Sequence, residues 1–232
     1  MIVGLSTGCL HTLDMDIYEK INKILASSAE AIEINICDFN DFITFDPQKV
    51  NNGISRMKII SFHLPWAGII YGSNNETEMI MRKMAELKRY FPIKTFTIHS
   101  NLIESFDIFE KFELLVENLE SPLIFGSTAA EIRQIKSIYN PDFLFDITHA
   151  FLVDNSMREA EKIVDMMGDN LKMVHVSGFK SGNSHSMISG ADNQSLVLEW
   201  ASKLKHLPII LEGQIPKIEF INKDIELLKS LE

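Results

Sequence analysis

Eight side chains of the types that hold metal ions fall in a regular order along this chain. They are His63, His99, Glu117, Asp146, His149, His175, His185 and Glu212. Six of them recur one per β-like run, five at or beside its end, while His149 follows Asp146 by three residues and His185 lies in the stretch SGNSHSMISG. A single His or Glu ending a strand is often just a cap or a solvated loop residue. Six in succession call for a common purpose. Crowded imidazoles and carboxylates repel or neutralise one another unless a cation sits among them. With a divalent ion they become ligands, and the ion lowers the pKa of a bound water to about 7. An imidazole-rich set favours zinc or another late transition metal, whereas Mg²⁺ prefers oxygens and water. So many donors exceed the needs of one ion, and two or three could share them.

The elements that must position these groups are legible as a rhythm of short apolar runs, polar turns and helical patterns. The predicted strands are 2–7, 31–36, 58–63, 94–99, 112–117, 143–148, 173–177 and 208–212. Near-continuous apolar runs suit parallel strands covered on both faces. Helix starts are marked by Thr128 with Glu131 and by Ser156 with Glu159, both spaced as capping boxes. Gly168 is placed to stop a helix, Asp46-Pro47 to begin a short one, and Asn222 to open the last. Eight strands alternating with eight helical segments predict a parallel α/β domain over 1–232. The choice between an open sheet and a closed barrel turns on the polar groups. An open sheet would hold its outer ligands too far apart, whereas a (β/α)₈ TIM barrel gathers them at its C-terminal face. Eight units in 232 residues make a compact barrel with short loops, tightest between His99 and Glu117.

The bulk numbers limit the partners. Apolar residues make up 46%, and no apolar run reaches the ~20 residues of a membrane span. No signal-like segment opens the chain, and two cysteines, Cys9 and Cys37, cannot build a disulfide framework, which together predict a cytoplasmic protein. The net charge is −10, from 32 acidic and 22 basic residues, which disfavours DNA as the substrate. All five arginines are assigned to helices or to positions before strands, and only Lys180, Lys217 and Lys49 are candidates for the active face. Trp66 and Lys180 are the expected substrate contacts, one for stacking and one for a phosphate. Phe39, Phe42, Phe45, Tyr71, Phe151 and Phe179 are assigned to loops of the same face, which predicts an aromatic mouth. His11 falls in the first loop of that face, and His206 reads as a surface residue.

The pieces HLPW (63–66), FTIH (96–99), VEN (116–118), FDITH (145–149), VHV (174–176), His185 and LEG (211–213), in this order, resemble the xylose isomerase-like barrels. That superfamily includes sugar isomerases and epimerases and the endonuclease IV branch of apurinic-site endonucleases. The resemblance implies that Glu117, Asp146, His175 and Glu212 form a shared metal quartet, in which Glu117 and Glu212 carry the catalysis. It also implies that His63, His99, His149 and His185 are the extra ligands of a multinuclear zinc site. His63 and His99 would share an ion with Glu117, and His149 and His185 would hold another. The loop motif Asp-x-His of the family reads Asn183-x-His185 here, so Asn183 would offer a neutral oxygen, and Ser189 replaces a usual glycine. The activity implied first is a zinc-dependent phosphoester hydrolase acting on a small sugar-phosphate or phosphodiester, or on abasic DNA. The alternative is a sugar isomerase or epimerase with one Mn²⁺, Mg²⁺ or Co²⁺. A metal-binding relative without activity is the third reading.

Overall fold

Residues 1–105 and 112–231 are described by a computed structural model. Eight parallel strands close into a barrel: β1 (Val3–Ser6), β2 (Ala31–Asn35), β3 (Ile59–His63), β4 (Thr95–His99), β5 (Leu114–Glu117), β6 (Asp142–Asp146), β7 (Leu171–Val176) and β10 (Ile209–Leu211). Neighbours around the barrel follow chain order, and β10 pairs with β1 through Val3↔Ile209 and Leu5↔Leu211 to complete it. A small antiparallel hairpin, β8 (Gly178–Lys180) and β9 (Asn183–Ser186), follows β7. Gly4 is required by the closure. A Cβ there would lie 2.6 Å from Cδ1 of Ile210 and 2.7 Å from Cβ of Ala31.

The strands divide their side chains by the two-residue period of extended backbone. Ile32, Val116, Phe145, Val174 and Leu211 face outward into the large apolar core under the helices. Ala31, Leu115, Leu144, Met173 and Ile210 face inward and form a separate dry plug, with Ile2 and Ile59 packed against it. Burying the Leu, Met and Ile side chains among them contributes about 1.5–3 kcal/mol each.

The helices are α1 (Ile17–Leu25), α2 (Phe39–Thr44), α3 (Asn75–Tyr90), α4 (Ala129–Tyr139), α5 (Ile147–Val153), α6 (Arg158–Met167), α7 (Gln194–Lys203) and α8 (Lys223–Lys229). The Thr128–Glu131 capping box is present at the start of α4. The expected Ser156 cap is not. Asp154 takes its place, its carboxylate accepting from the N–H groups of Ser156 and Glu159 and from Ser156 Oγ. A charged two-oxygen acceptor outcompetes a hydroxyl for the free N–H groups of a helix start. Gly168 ends α6 with a positive φ of 53°. Asp46 and Pro47 open a single 3₁₀ turn rather than a longer helix. Between β4 and β5 the described residues hold only a 3₁₀ turn, Ser100–Leu102, and the rest of the expected helical segment falls largely on 106–111, outside the described residues.

Strand six is shorter than its β-branched sequence predicts. Asp146 acts as the N-cap of α5, its side chain accepting from His149 N at 2.7 Å, so Ile147 and Thr148 are helical. The cap places His149 in the first helical turn, directly above the strand end.

Candidate metal centre

One step above the plug, two residues along the same strand faces, the barrel interior turns polar. Glu33, Glu117, Asp146 and His175 are buried there, with Glu212 just beyond β10. Glu117 lies at the centre, and its two oxygens look in different directions. Oε2 is 3.3 Å from His63 Nε2 and 3.5 Å from His99 Nε2. Oε1 is 3.3 Å from His175 Nδ1 and 3.6 Å from His149 Nδ1. Glu212 Oε2 approaches the same His175 nitrogen to 3.2 Å. Two groups of donors are thereby close enough to hold an ion: His63, His99 and Glu117, and then Glu117, Asp146, His175 and Glu212.

The orientation of the rings is set from outside the centre. His63 Nδ1 lies 2.9 Å from Leu64 O and His149 Nδ1 2.9 Å from Asn118 O. A carbonyl only accepts, so each Nδ1 carries a proton, which leaves Nε2 as the nitrogen that an ion in the centre would engage. Asn118 also clamps Asp146 backbone, its Oδ1 accepting from Asp146 N and its Nδ2 donating to Asp146 O. Asp146 Oδ2 is left buried with no hydrogen-bond partner. An orphaned carboxylate oxygen among lone pairs is the signature of a place for a cation, and the donor set fits one.

Without a cation the cluster must recruit protons. Burial opposes charge on His63, yet the hydrogen bond and charge of Glu117 hold its imidazole above the usual range. Burial likewise opposes charge on His175, but Glu212, Glu33 and Glu117 push it well above. His149 rises to about 9 against its burial, through Asp146, Glu117 and Glu120. His99 goes the other way, to about 3, because burial and the neighbouring His63 both disfavour its charge. Burial would raise Glu117, but its bonds to His175 and His63 hold it well below the usual carboxylate range.

His185 lies on β9, not in a free loop. Its ring packs edge-on to His149 with centroids 5.5 Å apart, and its Nδ1 is 3.3 Å from Ser177 Oγ. Gly213 permits this seat, since a Cβ there would meet Ser186 O at 2.4 Å. Asn183 is turned away to its own chain: Oδ1 accepts from His185 N and Nδ2 donates to Gln214 Oε1.

Above the centre opens a cleft of about 640 Å³ that includes His63, His99, Glu117, His149, His185 and Glu212 in its lining. Trp66 lies on its rim, 43% exposed, stacked on the His99 ring at 6.0 Å. The expected aromatic mouth is otherwise absent among the described residues. Phe42, Phe45 and Tyr71 are buried in the core, Phe39 is packed against it, and Phe151 packs on Phe179 away from the cleft. Apolar rings in short loops fold inward because burial outweighs loop position. Lys180, Lys217 and Lys49 are not in the lining either; Lys180 pairs with Asn183 across the hairpin, and Lys49 lies over the Tyr18 ring. The cleft has one basic side chain of Lys or Arg type among the described residues, Lys20 from α1, which the sequence reading passed over. His11 joins the lining, with Nδ1 on Gly8 O, and His206 is exposed. Cys37 lines the cleft, and Cys9 is buried against Leu211 O.

Glu33 was also missed. It lies mid-strand on β2, with Oε1 3.1 Å from His175 Nε2 across the barrel and Oε2 accepting from Thr97 Oγ1 and Ser61 Oγ.

No family model and no curated protein matches the chain. Solved structures do. A D-tagatose 3-epimerase-like protein superposes with a TM-score of 0.73 at 19% identity, covering 100% of this chain and 97% of that one. Endonuclease IV from Thermus thermophilus gives 0.71 at 12%, covering 100% and 98%. The 3-keto-D-glucoside 4-epimerase of E. coli gives 0.65 at 14%, covering 99% of each. The closed eight-stranded barrel is a TIM barrel fold, and the solved structures similar to it also include a xylose isomerase domain containing protein.

Proposed function

We propose that this chain is a metal-dependent hydrolase of phosphoesters with at least two ions, zinc by donor type, sharing Glu117. The observation that carries the reading is the position of Glu117, one oxygen toward His63 and His99 and the other toward His175. A carboxylate between two donor sets is what a pair of ions needs, whereas in a single-ion isomerase site the second set would be left to contact the sugar. Ions held there would supply Lewis-acid charge to a phosphoryl oxygen and lower the pKa of a bound water.

The remaining roles belong to the protein's own side chains. Glu117 joins the two donor sets, and Asp146, His175 and Glu212 complete one of them. His149 and His185 stand beside them as donors for a further ion, with Asn183 contributing a backbone bond to His185 rather than a free oxygen. Trp66 offers a flat apolar face at the rim, suited to a sugar or base. Lys20 is the ammonium available to a phosphate in the cleft, replacing the expected Lys180. One lysine and no arginine among the described residues of the cleft, with a net charge of −10, favour a small sugar-phosphate or phosphodiester over duplex DNA. No helix among the described residues is long and apolar enough to cross a membrane.

One observation favours a second reading. Glu117 and Glu212 flank the same His175 nitrogen at 3.3 and 3.2 Å, so the quartet alone is a complete one-ion site with two carboxylates for proton transfer between sugar carbons. Metal analysis of the purified protein separates the two. The proposal expects two or more zinc per chain and hydrolysis of bis(4-nitrophenyl) phosphate. One exchangeable ion, with ketose epimerisation and no phosphoester cleavage, would establish the second reading instead.

A further inference from the structure

A carboxylate in the middle of a barrel needs a reason. Glu33 is 0% exposed, and it sits two residues above Ala31 on the inward face of β2, where an apolar side chain would extend the plug. Burying an ionised carboxylate costs several kcal/mol unless partners satisfy it. Oε2 has two, Thr97 Oγ1 at 2.9 Å and Ser61 Oγ at 3.3 Å, from the two strands next along the barrel. Both are hydroxyl donors, so they fix the carboxylate plane without neutralising it. Oε1 has no hydrogen-bond partner, and neither has His175 Nε2, although both are fully buried and only 3.1 Å apart. The contact is at ion-pair distance but bent from hydrogen-bond alignment.

The two strands involved are not neighbours. β2 reaches β7 through the lumen, past β1 and β10 in the barrel order. The other nitrogen of the same ring, Nδ1, faces Glu117 Oε1 and Glu212 Oε2. His175 therefore stands between an outer carboxylate and the inner donors, and an imidazole can give a proton to one side and a lone pair to the other.

We infer that Glu33 is a positioning residue for the metal centre: its carboxylate faces Nε2 of His175 and keeps the proton there, so that Nδ1 is presented as a lone pair to the ion. The inference rests on the metal reading above but not on the reaction chosen there. The Leu64 and Asn118 carbonyls do the corresponding task for His63 and His149. Glu33 differs in being charged, so it also makes the imidazole a stronger donor. Its role is distinct from a ligand's, because His175 lies between it and the donor cluster.

The test is zinc competition titration of the full chain, as wild type and as Glu33→Gln. Removing the charge while keeping the shape should weaken the ion by about 10–100-fold, with the helical and strand content unchanged by circular dichroism. A structural filler would alter melting temperature alone. Glu33→Gln binding zinc as tightly as wild type overturns the inference and leaves the metal reading intact. Wild type that binds no divalent ion overturns both. A second measurement needs no variant: in protein carrying ¹⁵N-histidine and loaded with ¹¹³Cd, the cadmium coupling of His175 should fall on Nδ1, with a proton on Nε2. Coupling on Nε2 overturns the inference even if Glu33→Gln fails to fold.

Discussion

The barrel interior holds two layers one strand step apart, and they obey opposite rules. Ala31, Leu115, Leu144, Met173 and Ile210 make the lower layer, each at most 2% exposed and each satisfied by its neighbours. Two residues further along the same strands come Glu33, Glu117, Asp146, His175 and Glu212. Every one of these carries lone pairs or charge, and Asp146 Oδ2 and Glu33 Oε1 lack hydrogen-bond partners. The lower layer closes the barrel by apolar packing alone. The upper one is a cost to folding that only protons or a cation can offset. The fold and the site thus occupy adjacent rows of the same strands without sharing residues.

If that division is real, the rows should fail differently. The largest effect is expected from Glu117→Ala, which removes the carboxylate common to both donor groups. Metal content, read by inductively coupled plasma mass spectrometry, should fall below one ion per chain. Any hydrolytic activity should drop by more than the roughly 10–100-fold typical of an outer-shell partner. Retention of two ions would mean that Glu117 does not join the groups. The next largest comes from the other row. Leu144→Ala should lower stability by about 2–5 kcal/mol in urea unfolding while the folded protein keeps its metal content. Loss of metal by a folded Leu144→Ala protein would show that the rows are mechanically coupled.

Much of this plan was readable from the chain because strand ends are where barrels gather chemistry. All eight barrel strands were placed, and His63, His99, Glu117, Asp146 and His175 each end or nearly end one of them. Glu33 escaped the same search because it lies in the middle of AIEIN rather than at its end. A signal existed: a charged residue inside a run otherwise buried on both faces, in phase with Ala31, needs a partner within the barrel. Lys20 gave no such sign, since a lysine on an amphipathic helix normally faces solvent and only the tertiary path of α1 brings it to the cleft. The phenylalanines failed for the converse reason. Their loops are at the right end of the barrel, but the rings turn down into the core, and composition says nothing about which way a loop side chain turns.

The smallest effect, and the subtlest test of the upper row, is the pH dependence of the metal-free protein. His149 is raised from its ordinary 6.5 to about 9, so its stabilisation is fully present below about pH 6.5 and is lost as pH rises through 9. His63 and His175, also raised, act in the same direction. His99 is depressed to about 3, so between pH 6.5 and 3 the unfolded chain takes up a proton that the folded one refuses, and stability falls as pH falls. Glu212, held at about 2, adds to that acid loss, because its contribution is present above its ordinary 4.5 and disappears as pH falls through 2. These opposed slopes put the melting temperature of EDTA-treated protein at its highest near pH 6.5, with a decline on the order of a few degrees toward pH 9. Zinc requires neutral imidazoles and displaces their protons, so the zinc-loaded protein should lack the alkaline decline. Differential scanning fluorimetry from about pH 5 to about 9.5, with EDTA and with zinc, compares the two directly. A metal-free protein that gains stability from pH 6.5 to 9 would show that the histidines of the upper row are not holding protons in place of an ion.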